Sequence, residues 1–106
     1  MTIEKFEDLM AWQRARMLTS EIYSMSRVGQ FAKDFGLVDQ IRRAAVSVGS
    51  AGEVRSQLYT AFDVGYISRE EMIRLVDLSS EVSKLINGLI KSLRKTSLSG
   101  MRYNKP

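Results

Sequence analysis

Gly65-Tyr66-Ile67-Ser68-Arg69-Glu70-Glu71-Met72 is the sharpest punctuation in the chain. Glycine reaches a left-handed φ without a Cβ clash, so Gly65 is expected to end one helix. Ser68 and Glu71 then have capping-box spacing, in which the hydroxyl accepts from the N–H of residue 71 and the carboxylate reaches back to the N–H of residue 68. Ile67 and Met72, on either side of that cap, add a hydrophobic staple. One helix stops at Gly65 and another begins at Ser68.

Downstream, Met72, Leu75 or Val76, Val82, Leu85 or Ile86, Leu89 and Leu93 keep the helical period. They predict a fourth helix to about Lys95, roughly 27 residues and about 40 Å long. From Thr96 to Pro106 the chain is rich in Ser, Gly, Lys and Asn without a pattern, which reads as a basic, flexible tail. Upstream, Val54, Leu58 and Ala61 or Phe62 mark a third helix, and Gly49-Ser50-Ala51-Gly52-Glu53 supplies a turn and a second capping box, Ser50 with Glu53. Leu37, Ile41, Ala44 or Ala45, and Val48 draw a short second helix, preceded by a loop that Gly29 and Gly36 bracket around Phe31 and Phe35. Leu9, Trp12, Ala15, Leu18, Ile22 and Met25 place one apolar stripe on a first helix from about Glu7 to Arg27. The expected fold is all-α: an antiparallel up-down four-helix bundle over residues 1–95, with helices one and four long and two and three short.

A chain of 106 residues buries one modest core, and its single proline is the last residue, leaving the body free of helix breakers. No cysteine is present to frame disulfides, and Met1-Thr2-Ile3-Glu4-Lys5 lacks the apolar stretch of a signal peptide, so a cytoplasmic location is expected. The most apolar region, Leu85 to Leu93, is interrupted by Asn87, Gly88, Lys91 and Ser92, and no membrane partner is expected. With no histidine and no cysteine, the commonest general base, the thiolate nucleophile and the common zinc ligands are all missing. Glu70 and Glu71 are neighbours on a helix, so their side chains diverge by about 100°, and Glu71 already has a capping role. Gly49-x-x-Gly52 lacks the Lys-Ser/Thr of a phosphate loop and reads as a turn. The sequence therefore predicts no enzyme, no catalytic residue, no metal and no cofactor.

Charge leans toward a partner. Sixteen Lys and Arg stand against twelve Asp and Glu, and no acid follows Glu81. Lys84, Lys91, Arg94, Lys95, Arg102 and Lys105 thus load the end of helix four and the tail, and Arg42 with Arg43 is expected as an exposed pair on helix two. Arg42, Arg43, Lys91, Arg94 and Lys95 are the expected phosphate contacts for RNA or DNA, with salt-sensitive and largely sequence-independent affinity. The plainer explanation is that cations near a helix C-terminus favour its dipole and bind nothing. Trp12 and Tyr23 have the chemistry to stack on bases, but the place of Trp12 on the apolar stripe assigns it to the core. The competing function is a protein-interaction scaffold: Ile73, Leu78 and Ile90 widen the stripe of helix four, and Gly88 costs about 1 kcal/mol in a helix, a cost that close packing of another helix would offset.

Four segments stand in an order that carries a resemblance: Phe6-x-Asp8-Leu9-x-x-Trp12-Gln13-x-Ala15, Phe35-Gly36-Leu37-x-x-Gln40-Ile41-Arg42-Arg43-Ala44-Ala45-Val46-Ser47, Gly65-Tyr66-Ile67-Ser68 and Asn87-Gly88-Leu89-Ile90-Lys91-Ser92-Leu93. Over about residues 3 to 95 the chain resembles the bacterial four-helix-bundle family of 23S rRNA intervening-sequence proteins. Some members of that family are encoded within large-subunit ribosomal RNA genes. Relatives that serve diversity-generating retroelements form basic, barrel-like pentamers that bind nucleic acid and contact a polymerase. The resemblance implies a homo-oligomer, pentameric by analogy, a possible nucleic-acid or polymerase partner, and no known catalysis. The chain departs from the family pattern after Ser47, where a Pro-Ser-Asn-Ile-Ala-Glu-Gly-like stretch is expected and Val48 runs straight into Gly49. About twenty residues are missing by that measure, shortening each arm of the central hairpin by about 15 Å. Helices one and four should then overhang two and three, with their apolar stripes uncovered and open to self-association or to exchange of the hairpin.

Overall fold

Four helices follow one another along the chain: α1 (Phe6–Met25), α2 (Phe35–Val46), α3 (Ala51–Asp63) and α4 (Arg69–Tyr103), with a single 3₁₀ turn, Phe31–Lys33, ahead of α2. The computed structural model describes residues 6–47 and 50–103, with side-chain surroundings for 9–47, 50 and 52–95; Val48 and Gly49, expected in the second helix and its turn, lie outside the described residues. No strand occurs among the described residues. α1 packs on α2 and α4, and α3 packs on the same two, closing a ring of four in up-down order. Two ion pairs set the direction of α1 against α4: Arg14 Nε lies 3.1 Å from Glu81, and Glu21 pairs with Arg74. Numbers rise along α1 as they fall along α4, so the two run antiparallel.

The predicted stripes supply the core. Leu18 and Ile22 from α1, Ile41 and Ala44 from α2, Val54, Leu58 and Ala61 from α3, and Leu75, Leu78 and Val82 from α4 are all buried in one cluster. At the closed end of the bundle Gly65 takes φ 85°; its N–H donates to the Phe62 carbonyl at 3.0 Å, and the N–H of Tyr66 donates to that of Ala61 at 2.8 Å. This is the double bond pattern that ends a helix on a left-handed residue. The capping box forms as predicted, with Glu71 N–H donating to Ser68 Oγ at 3.1 Å and Ser68 N–H to Glu71 Oε1 at 3.0 Å. Phe31, buried under the same end, stacks on Tyr66 with ring centroids 5.4 Å apart. The Tyr66 hydroxyl donates to Asp34 Oδ2 at 2.9 Å, while Asp34 Oδ1 accepts from the Leu37 N–H and caps α2. Donation to Asp34 holds the Tyr66 phenol above the ordinary tyrosine range, and partial desolvation and the Asp34 charge push the same way.

Three local expectations fail for physical reasons. Ser50 precedes α3 but its side chain makes no capping bond, because its backbone sits at φ −94°, ψ 15° instead of the extended conformation that aims a cap oxygen inward. α4 does not end near Lys95 but continues to Tyr103; the apolar period reports packing, and a helix can run past it where no proline intervenes. Trp12 is not in the core: it is 43% exposed, and the buried place at its level is taken by Ala11.

α2 and α3, with 12 and 13 residues, span about 18 and 20 Å, whereas the 35 residues of α4 span about 52 Å in a molecule 61 Å long. The Thr19 hydroxyl reaches the Ala45 carbonyl at 3.1 Å, so α2 finishes level with the middle of α1. Arg55 donates to Ser83 Oγ at 3.2 Å, so α3 begins level with Ser83 on α4. Past those levels the start of α1 and the end of α4 project together. Leu93 lies eighteen residues, or about five full turns, beyond Leu75 and so on the same face, yet Leu75 is fully buried and Leu93 is 56% exposed. The face persists while the helices that would cover it have ended.

Candidate nucleic-acid interface

The projecting end of α4 has two faces. Steps of seven and four residues place Lys84, Lys91 and Lys95 on one side, half a turn from Leu75 and Leu93. Arg94 stands beside them, and all four cations are exposed. None of them belongs to an ion pair among the described residues, where the partners of Glu81, Asp39 and Glu21 are Arg14, Arg43 and Arg74. Because α4 runs on to Tyr103, Lys91, Arg94 and Lys95 sit about two turns or more inside its end. A helix dipole acts on charges in the last turn, so it gives little account of these three. Arg102 and Lys105 lie outside the residues whose side chains are described. The close approach expected at Gly88 is not made within one chain, since a Cβ there would meet nothing within 4 Å.

Arg42 and Arg43 do not join this group. Extrapolating the α1–α4 pairing, Arg42 is level with the first turn of α4, about 28 Å along the axis from Lys91. Nor are the two an exposed pair, because neighbours on a helix diverge by about 100°. Arg42 turns into the α1–α2 seam, where Nε donates to Ser26 Oγ at 2.9 Å, Nη2 to the Tyr23 carbonyl at 3.4 Å, and the guanidinium lies 4.6 Å from the Tyr23 ring centroid. Arg43 faces solvent and pairs with Asp39 one turn back at 3.2 Å. Arg42→Ala should therefore cost about 1–3 kcal/mol in urea unfolding, through lost hydrogen bonds and ring contact. Arg43→Ala should change stability by under about 0.5 kcal/mol. Equal effects of the two would show that the seam contacts contribute nothing.

An open groove of about 670 Å³ runs outside the α1–α2 seam, and sequence reasoning missed it. Trp12, Arg16 and Tyr23 line it from α1 and Arg27 from the turn after it, with Ala45 and Val46 at the end of α2, and no acid is among the described residues that line it. The Arg16 guanidinium sits 4.7 Å from the Trp12 ring centroid. A smaller hollow of about 360 Å³ between α2 and α3 carries mixed charge, Arg43 with Glu53.

Among the described residues no cluster of acidic, histidine or cysteine side chains could hold a metal ion, and no helix is long and apolar enough to cross a membrane. What the described residues expose is a set of cations outside any ion pair on a projecting helix end and a second basic region beside a half-exposed indole. No curated protein and no solved structure matches the chain. A family model described as 23S rRNA-intervening sequence protein matches residues 7–51, which span nearly all of α1, the Phe31 turn and α2 and end at the first residue of α3. Through that stretch the chain is similar to the 23S rRNA-intervening sequence protein family.

Proposed function

We propose that this chain is a non-enzymatic accessory protein that self-associates and binds nucleic acid through the basic end of α4. The carrying observation is that Lys84, Lys91, Arg94 and Lys95 are exposed and outside every ion pair among the described residues, on a helix end whose opposite face exposes Leu93. The two faces divide the work. Apolar surface on one side favours a second copy, and the cations on the other stay in water, repeated around whatever symmetry the assembly takes.

Fluorescence anisotropy of labelled structured RNA and duplex DNA, at about 50 mM and about 200 mM salt, tests the reading. Three phosphate contacts on a duplex lower affinity roughly 40-fold over that interval, and more if several copies engage one strand. A steep fall supports the proposal. No binding at the lower salt would leave the second reading, a protein scaffold, which the exposed Ile90 and Leu93 favour. Sedimentation of the free protein then separates self-association from docking of another protein.

A further inference from the structure

We infer that the groove between α1 and α2 is a second nucleic-acid site, one that takes an unpaired strand with a base stacked on Trp12. It rests on the nucleic-acid reading of the chain but not on the α4 cations, none of which lines this groove.

The charge of the groove points to a polyanion. Arg16 and Arg27 line it, Arg42 lies over the ring of Tyr23, which also lines it, and no acid is among the described residues that do. Arg16 and Arg27 also take no part in the ion pairs among the described residues. The aromatic groups point to bases. Trp12 keeps 43% of its surface in water, and its ring already attracts a guanidinium. With Arg16 over the indole at 4.7 Å, the part of the ring left in water can stack on a base, on terms that differ little with base identity.

Trp12, Arg16 and Tyr23 follow in steps of four and seven residues, which keeps them along one side of α1 over about 16 Å, and Arg27 lines the same groove from the turn just past its end. Cations alternating with rings along an open groove suit a single strand, whose phosphates and bases are reached together. A duplex is a poor fit, since its bases are stacked inside and an indole on a helix surface meets only backbone.

Trp12 is the only tryptophan in the chain and reports on its own site. A short oligouridine is titrated into the full-length protein while Trp12 emission is followed, with the same strand annealed to oligoadenine as the paired control. Anisotropy of a labelled strand gives affinity independently. Saturable quenching by the single strand and little by the duplex is expected. Trp12→Leu should weaken single-strand affinity about fivefold or more, Trp12→Phe should keep most of it, and Arg16→Ala with Arg27→Ala should flatten the salt slope by roughly 0.7 each. Because Trp12 is exposed, circular dichroism melts of its variants should match the parent. Quenching should survive reversal of Lys91, Arg94 and Lys95. Single-strand binding that neither quenches Trp12 nor weakens in Trp12→Leu overturns the groove while the α4 reading stands. Equal quenching by the duplex overturns the unpaired-strand assignment, and an absence of binding to any strand overturns both.

Discussion

Phe31→Ala should lower the unfolding free energy by about 3–5 kcal/mol, the usual loss when a buried phenylalanine is cut back to a methyl. A domain of this size has about 5–15 kcal/mol in total, so the variant should melt many degrees lower and be partly unfolded at moderate urea. The reason for so large an effect is that Phe31 sits where the segment before α2 meets the α3–α4 connection. It is 1% exposed, lies on Tyr66 from the α3–α4 connection, and leads directly to Asp34, which caps α2 and accepts from Tyr66. Tyr66→Phe separates the two contributions, because it keeps the stacked ring and loses only the hydroxyl, for about 1 kcal/mol. The measurement is urea unfolding by far-ultraviolet circular dichroism. A midpoint for Phe31→Ala within error of the parent would show that the ring is not held as described.

How much of this was legible in advance depends on how local each cause is. The cap at Ser68 and the stop at Gly65 were readable because the bonds span three to five residues and involve no other helix. Ser50 and Glu53 offer the same letters and fail, since the hairpin turn sets the backbone at Ser50 before its side chain can act. Periodicity gave the direction of each stripe correctly but cannot say whether anything lies opposite. Leu93 faces the expected way and is uncovered because α2 and α3 end first, whereas at the level of Trp12 the buried place is taken by Ala11 and the indole is turned to the side. Phe31 had no helical period to announce it, and its burial depends on Tyr66, more than thirty residues away. Arg42 and Arg43 look equivalent in sequence and part on the helix, one into the seam and one into water. The α1 groove follows from where α2 stops, so it became visible only with the packing.

Reversing Lys91, Arg94 and Lys95 to glutamate should abolish measurable binding of duplex DNA and structured RNA at near-physiological salt while leaving the fold intact. Each reversal removes two units of charge, so the three together take the formal net charge from +4 to −2. If each side chain faces one phosphate, the slope of log affinity against log salt flattens by about 2.7 on a duplex, and the repulsion added by the carboxylates comes on top. Stability should move by under about 1 kcal/mol: the three side chains are exposed, they form no ion pairs among the described residues, and they lie too far inside α4 for its dipole to penalise the acids strongly. The proposed self-association through Leu93 should also persist, because the reversed residues are on other faces of the helix, and sedimentation at equal concentration checks this. A variant that keeps the parent's affinity and salt slope would remove the end of α4 from consideration and leave the α1 groove to account for any binding. A variant that loses binding together with its oligomeric mass would instead mean that the cations act through assembly, since neighbouring copies would then have to approach across this face.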